Sequence, residues 1–188
     1  MIETISLLWM TMTLVQPSVV PEGQPLVVRH RAMATEFELY LYGDNPGRLQ
    51  WAAEEAFEEV DWLEKQLSVY EETSEVSGIN ARAATETVTV EPGLFRLLEI
   101  SKEIWRDTDG TFDITVMPLV RTWGFYRGRG SLPTDEAIAE VLPKIGMDHV
   151  ILDSERRSIR FGIPGIEINL GGIGKGYTVD LIVEVLER

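Results

Sequence analysis

The chain of 188 residues is 44% hydrophobic and 26% charged, which is enough apolar material for the core of one globular domain. Its 31 acidic and 17 basic residues give a net charge of −14, which argues against general nucleic-acid binding and against docking on an anionic membrane. The sequence has no cysteine, which excludes disulfides, thiol nucleophiles, thiolate metal sites and a lipid-modified cysteine. An anionic ligand would therefore need local compensation from lysine, arginine or a divalent metal ion.

Residues 1–25 are predicted to be a leader and linker that precede the folded domain. The stretch from Ile5 to Val20 is apolar, but Gln16 and Pro17 interrupt it, so it is too broken to span a membrane. It is similar to a signal-peptide core, although Glu3 stands where a basic flank is expected. Export to the periplasm or cell envelope and a cytoplasmic leader both stay open, as does membrane association.

Two strands and a long helix are predicted at the start of the domain, which spans 26–188. Residues 26–31 and 35–42 favour strands, and in the second strand Phe37, Leu39 and Leu41 share one face. From residue 49 to residue 67, apolar residues recur every three or four positions. This spacing predicts an amphipathic helix with an acidic outer face.

The remaining predicted elements follow one another without an internal repeat. In order they are a polar loop, a short strand, a helix, an apolar loop, a second helix, a hairpin, a strand and a final helix, at 68–84, 87–90, 93–107, 111–125, 134–142, 150–161, 166–170 and 177–186. This order indicates an α+β domain with a mainly antiparallel sheet covered by helices.

The segment from Asn169 to Tyr177 is dense in glycine and lies between the last predicted strand and helix. In such an arrangement backbone N–H groups at the helix start can face a phosphate, with Lys175 beside it. The spacing fits neither a Walker A loop nor the dinucleotide motif G-x-G-x-x-G, so a nucleotide here would occupy a third class of site. The alternative is a tight turn whose glycines are needed for positive φ angles.

Two polar side chains in the preceding loops are candidates for ligand binding. Asp113 is the only charged residue between Gly110 and Val120, and a carboxylate among apolar residues must be paired, hydrogen-bonded or bound to a ligand. It either caps its loop through Thr115 or backbone N–H groups, or it binds a ligand. Tyr70 either stacks on a planar ligand or closes the end of the preceding helix.

Four separated segments together resemble the FAD:protein FMN transferase family, also called the ApbE family of flavin transferases. They occur in the family's order and extend over nearly all of the chain after the leader, and the third and fourth are the more specific. The segments are MATEF at 33–37, LSVY at 67–70 with SEVSGIN at 74–80, GTFDITV at 110–116 with PLV at 118–120 and WGF at 123–125, and LGGIGKGY at 170–177.

This resemblance implies an ApbE-like, T-fold-related domain whose enzyme binds FAD with Mg²⁺. The family moves the FMN portion of FAD onto a threonine or serine hydroxyl of an acceptor flavoprotein and releases AMP. The backbone carbonyl of Gly172 is implied as a Mg²⁺ ligand. By position in the motifs, FAD contacts are implied for Met33, Tyr70, Thr111, Phe112, Asp113, Asn169 and Lys175.

The chain departs from the family's pattern in two places. Asn169 stands where the family usually has aspartate, which keeps a hydrogen-bonding group and drops one negative charge. Family members also continue beyond the position of Arg188 through a second half with further Mg²⁺ ligands. We therefore expect a truncated N-terminal portion that is inactive alone, with its catalytic residues beyond Arg188. The alternatives are a module that binds FAD without transferring FMN and a structural domain whose glycine segment is only a turn.

Overall fold

The computed structural model describes residues 23–188, so most of the predicted leader and linker lies outside the described residues. The strands are β1 Leu26–Ala32, β2 Thr35–Leu41, β3 Val88–Thr89, β4 Val150–Asp153 and β5 Ser158–Phe161. The helices are α1 Pro46–Leu67, α2 Glu75–Arg82, α3 Pro92–Asp107, α4 Met117–Thr122, α5 Asp135–Val141 and α6 Gly174–Leu186. Short 3-10 turns at 142–144 and 147–149 lead into β4.

β1 and β2 form an antiparallel hairpin closed by Met33 and Ala34. Both turn residues have positive φ angles, 50° and 57°, which is typical of the two-residue turn that matches the twist of a hairpin. Phe37 and Leu39 are buried on one face of β2, so the predicted alternation is confirmed.

α1 joins the hairpin to the rest of the core. It begins after Asn45, whose side chain accepts a hydrogen bond from the backbone N–H of Arg48 over 3.1 Å, and Pro46 occupies the first helical position. Its apolar stripe is buried, and α6 packs along the same helix. The hairpin, α1 and α6 thereby enclose one apolar cluster.

The larger core lies around α3 and a three-stranded antiparallel sheet with the order β3-β5-β4. Leu97 and Leu98 of α3 and Ile159 and Phe161 of β5 are fully buried in it. These features confirm the predicted α+β class with antiparallel strands and covering helices. None of the helices within residues 23–188 is long and apolar enough to cross a membrane.

Three predicted segments differ from the structure. The polar loop at 68–84 contains α2, and the apolar loop at 111–125 contains α4. The strand predicted at 166–170 was wrong, because only Glu167 pairs there, in a single parallel bridge with Val116. The rest of that segment is extended chain held by the Asn80 side chain and by a backbone hydrogen bond from Asn169 to Ile114.

Candidate functional site

None of the glycines at the start of α6 has a positive φ angle, so the backbone conformation does not require glycine at these positions. The glycines with positive φ in the described part of the chain are Gly23, Gly110, Gly124, Gly130, Gly146 and Gly165, none of them in this segment. A Cβ atom built on Gly176 would meet no heavy atom within 4 Å, and one on Gly172 would first meet the Phe112 ring at 3.6 Å. The interpretation as a tight turn that needs positive φ was therefore wrong. At Gly172 and Gly176 the main chain carries no side chain although there is room for one, and we call these two positions the bare backbone.

Several backbone groups of this segment have no partner among the described residues. Gly171 N–H donates to Asn169 Oδ1 over 2.8 Å, and Gly174 N–H donates to the Leu170 carbonyl over 2.7 Å. No residue within 23–188 accepts a hydrogen bond from the backbone N–H of Gly172, Lys175 or Gly176, and none donates to the Gly172 carbonyl. The first turn of α6 carries no acidic residue, so its positive dipole end is not neutralised there.

Phe112 and its neighbours run beside the glycine segment. Asn169 N–H donates to the Ile114 carbonyl over 2.7 Å, and the Phe112 ring faces Gly172. Thr111, next to Phe112, is exposed. The two most specific segments of the resemblance are thus adjacent in space, although more than 40 residues separate them.

Asp113 caps its own loop. Its Oδ1 accepts hydrogen bonds from the backbone N–H of Thr115 over 2.7 Å and from the Thr115 hydroxyl over 2.6 Å. The structure therefore contains the capping interaction that was one of the two interpretations. None of the described residues donates to Oδ2, so the capping role and the predicted ligand role are compatible.

Met33 lies against the same helix start from the other side. Its backbone N–H donates to Glu64 Oε1 over 2.5 Å, and its sulfur lies 3.6 Å from the Thr178 hydroxyl. Its positive φ angle is that of the two-residue turn between β1 and β2. α1 and α6 therefore fix Met33 beside the glycine segment.

Lys175 is the cation closest in sequence to the bare glycines. It lines a groove of about 460 Å³ between β2 and α6, together with Thr35 and Glu36 at the hairpin end. Lys175 forms no ion pair with any residue from 23 to 188. Its ammonium group is therefore available to an anion.

A second, mainly apolar groove of about 300 Å³ borders the glycine segment. Gly172 and Gly176 line it together with Ile100 and Ile104 of α3, and Asp180 of α6 is the one charged residue in its lining. The Tyr177 hydroxyl donates to the Gly93 carbonyl over 3.1 Å. The pKa of Tyr177 is raised, mainly because the side chain is partly buried and also because the Glu91 carboxylate lies nearby. Gly172 and Gly176 therefore border a mainly apolar groove, while Lys175 lines a separate one.

Tyr70 lies apart from the other predicted contacts. Its side chain is 51% exposed, and its ring stacks on that of Tyr126 with centroids 5.3 Å apart and an interplanar angle of 7°. Among the described residues it has no hydrogen bond or ring contact with the other predicted site residues. The structure therefore places Met33, Phe112, Asn169, Gly172 and Lys175 at or beside the start of α6. Thr111 and Asp113 flank Phe112 in the chain, and Tyr70 has no direct contact with this group.

A carboxylate-rich metal site is absent from the part of the chain that the structure describes. No group of three or more histidine, cysteine, aspartate or glutamate side chains comes close enough there to hold a metal ion. The Asn169 amide contacts Gly171 N–H and, over 3.4 Å, the Met117 sulfur. The Gly172 carbonyl, which the resemblance implies as a Mg²⁺ ligand, accepts no hydrogen bond from residues 23–188.

Three residues with supporting roles were not predicted from the sequence. Glu64 holds the Met33 turn, Asn80 holds the chain before the glycine segment, and Tyr126 stacks on Tyr70. Asn80 belongs to a segment of the resemblance, so it could have been singled out. Glu64 resembles the other acidic residues of α1 and carried no signal of its own.

Comparisons with known proteins show the family of this chain. Residues 33–188 match the model of the ApbE family. The chain belongs to the ApbE family.

The relatives of this ApbE-family chain are longer than the chain itself. The Haemophilus influenzae protein named FAD:protein FMN transferase is 27% identical over 176 residues, which are 89% of this chain and 50% of that protein. The crystal structure of the ApbE protein from Thermotoga maritima superposes with a TM-score of 0.79 at 29% identity, covering 87% of this chain and 52% of the other. The apo flavinyl transferase ApbE from Pseudomonas stutzeri gives a TM-score of 0.76 at 27% identity and covers 87% and 56%. The chain spans about half the length of the relatives it matches.

Proposed function

We propose that this ApbE-family chain binds FAD at the start of α6 and contributes that site to the transfer of FMN onto a threonine or serine of an acceptor protein. The observation that carries the proposal is the bare backbone at Gly172 and Gly176, where the fold itself does not require glycine. The name of the Haemophilus influenzae relative, FAD:protein FMN transferase, supports FAD as the ligand.

The electrostatics of the helix start suit the diphosphate of FAD. In a protein with a net charge of −14, an anion is stable only where positive groups converge. The N–H groups of Gly172, Lys175 and Gly176 lack partners among the described residues. The Lys175 ammonium forms no ion pair with any residue from 23 to 188. Helix N-termini bind phosphates in this way, because N–H groups and the dipole both favour negative charge.

The residues present also fit a magnesium ion bound together with FAD. Mg²⁺ prefers oxygen ligands and commonly combines few protein groups with phosphate oxygens and water. The Gly172 carbonyl would be one such group, and Asn169 would keep the loop in place through Gly171. When bound, Mg²⁺ would supply charge neutralisation at the diphosphate.

The proposed transfer breaks the anhydride bond between the two phosphates of FAD. The acceptor hydroxyl oxygen forms a phosphoester bond with the FMN phosphorus, its proton is released to solvent or a base, and AMP leaves with the bonding electron pair. The part of the site in this chain would hold the dinucleotide and orient the reacting phosphate, which supplies much of the catalysis in phosphoryl transfer.

Binding of FAD tests the proposal directly. The chain is titrated with FAD, with and without Mg²⁺, while flavin fluorescence is followed, and riboflavin serves as a ligand that lacks both phosphates. We expect saturable FAD binding that Mg²⁺ strengthens and riboflavin binding at least tenfold weaker. Lack of saturable FAD binding by the folded chain would refute the proposal.

Covalent transfer is tested separately with Mg²⁺, FAD and a threonine-bearing acceptor protein. One reaction contains the chain alone, and a parallel reaction adds the part of the Haemophilus influenzae relative that this chain does not cover. Flavin that stays on the acceptor after denaturation, with release of AMP, supports the transferase. FAD binding without transfer in either reaction would favour the binding module, which the absence of an acidic metal cluster within residues 23–188 would explain.

A further inference from the structure

Tyr126 holds the ring of Tyr70 in a fixed position through several independent contacts. The two rings are nearly parallel, with centroids 5.3 Å apart. The Tyr126 hydroxyl donates to the carbonyl of Val69 over 3.2 Å, one residue before Tyr70. Arg127 donates from its guanidinium to the Tyr70 carbonyl. Residues 126 and 127 therefore contact both the ring of Tyr70 and the backbone at 69–70.

Tyr126 is itself anchored by Arg121. The Arg121 guanidinium carbon lies 3.9 Å from the centroid of the Tyr126 ring, and its Nε donates to Glu167 Oε2 over 2.8 Å. Glu167 belongs to the extended chain that leads into the glycine segment. A continuous series of contacts thus connects the ring of Tyr70 to the proposed FAD site.

Tyr70 stays half exposed although one face of its ring is covered by Tyr126. Among the described residues, no second aromatic ring and no cation stacks on the Tyr70 ring. A rigid aromatic ring with one open face is suited to stacking on a planar heteroaromatic ring. A ring held by a neighbour also loses less conformational entropy on binding than a free one.

We propose that Tyr126 is a positioning residue for the flavin nucleotide, acting through Tyr70 by holding its ring ready to stack on the ligand. This inference rests on the proposed function and adds a specific residue to it. Tyr126 does not touch the ligand in this account. Its effect on binding therefore requires Tyr70 to be present.

A double-mutant cycle of Tyr70→Ala and Tyr126→Ala, read by FAD titration, tests the inference. Tyr126→Ala should weaken FAD binding about five- to tenfold and leave the bound flavin less quenched, since a stacked aromatic pair contributes on the order of this factor. Tyr126→Phe keeps the stacking and should stay within about twofold of the parent chain. In the Tyr70→Ala background, Tyr126→Ala should have no further effect. Tyr42→Ala, at an exposed tyrosine outside this contact series, is the control.

Each outcome of this cycle decides a different question. If the parent chain binds FAD and Tyr126→Ala binds equally well, only the role of Tyr126 is refuted. Additive losses in the double variant would also refute it, because Tyr126 would then act independently of Tyr70. Tyr126→Leu fills the space without stacking and replaces Tyr126→Ala if the latter unfolds. Loss of cooperative unfolding in both would make Tyr126 a residue of the fold and overturn the inference. A parent chain that binds no FAD removes the proposed function and this inference together.

Discussion

Asn80 and Ile168 are joined by two hydrogen bonds, although 88 positions separate them in sequence. Asn80 Nδ2 donates to the Ile168 carbonyl over 2.9 Å, and Asn80 Oδ1 accepts from the Ile168 N–H over 2.8 Å. The side-chain amide takes the place of a neighbouring strand, so both backbone groups of the buried Ile168 are satisfied. This pairing fixes the extended chain from which the glycine segment begins.

Asn80→Ala is expected to destabilise the chain by about 2–3 kcal/mol, because it leaves the backbone N–H and carbonyl of Ile168 unpaired in a buried position. Asn80→Asp keeps the acceptor but replaces the donor by a charged oxygen that faces the Ile168 carbonyl, so its loss should be at least as large. Urea unfolding followed by circular dichroism measures both variants. An unchanged unfolding midpoint in Asn80→Ala would contradict the role given to this amide.

Asp113→Asn is expected to separate the structural role of Asp113 from its ligand role. The asparagine retains an Oδ1 that can accept from Thr115, so stability should change by less than about 0.5 kcal/mol. Its uncharged NH₂ replaces Oδ2, which we propose accepts a hydrogen bond from FAD, and binding should weaken by about tenfold. Asp113→Ala should lower both binding and stability. Normal FAD affinity in Asp113→Asn would restrict this carboxylate to the loop cap.

Asn169→Asp is expected to make FAD binding depend more strongly on Mg²⁺. An aspartate can still accept from Gly171 N–H, but it adds a negative charge close to the proposed diphosphate site. A repulsion of about 1 kcal/mol would weaken binding about fivefold without Mg²⁺. Added Mg²⁺ should restore it. The titration is run at two Mg²⁺ concentrations, and equal FAD affinities of variant and parent chain without Mg²⁺ would contradict the assignment.

Glu91 is expected to contribute stability that is lost in acid. Burial opposes its ionisation, but hydrogen bonds from the backbone N–H groups of Gly93 and Leu94 and from Gln66 outweigh this, so its pKa lies below the ordinary value of 4.5. A carboxyl whose pKa is lower in the folded state stabilises above the unfolded pKa, and the contribution disappears as the pH falls through the folded value.

Glu91→Gln should therefore destabilise the chain by about 1 kcal/mol at pH 7, as the loss of a charged helix cap does, and should reduce the fall in stability below pH 5. Urea unfolding between pH 3 and pH 7 measures this difference. Glu58→Gln, on the exposed face of α1, serves as the control. Parallel pH curves for the parent chain and Glu91→Gln would show that this carboxyl is not a source of acid sensitivity.

The helices that the sequence predicted are those with long apolar periodicity. α1 and α3 bury residues over several turns, so their pattern is visible without tertiary information. α2 has eight residues and buries only Val76 and Ile79, and its serine, glycine and asparagine are typical of a loop. The strand predicted at 166–170 had the right composition, but a side chain, Asn80, supplies hydrogen bonds that a neighbouring strand would otherwise make.

The residues of the site could be predicted from short motifs, but their partners could not. Met33 meets Thr178 across 145 positions, and the Phe112 ring meets Gly172 across 60, so these contacts depend on the tertiary fold. The periodicity of α1 places many glutamates on its outer face and does not show that Glu64 turns toward Met33. The φ angles of the glycines, which decide between a turn and a binding surface, are likewise a property of the structure.

Gly176→Ala tests the central claim that the bare backbone at the start of α6 binds the diphosphate of FAD. The position is helical and open, so alanine should preserve stability or raise it by up to about 1 kcal/mol. Gly47→Ala makes the same change in the first turn of α1 and is the matched control. FAD titrations and urea unfolding are carried out on all three chains. We predict that Gly176→Ala binds FAD at least tenfold more weakly while Gly47→Ala binds normally; parental FAD affinity in a stable Gly176→Ala would contradict the account.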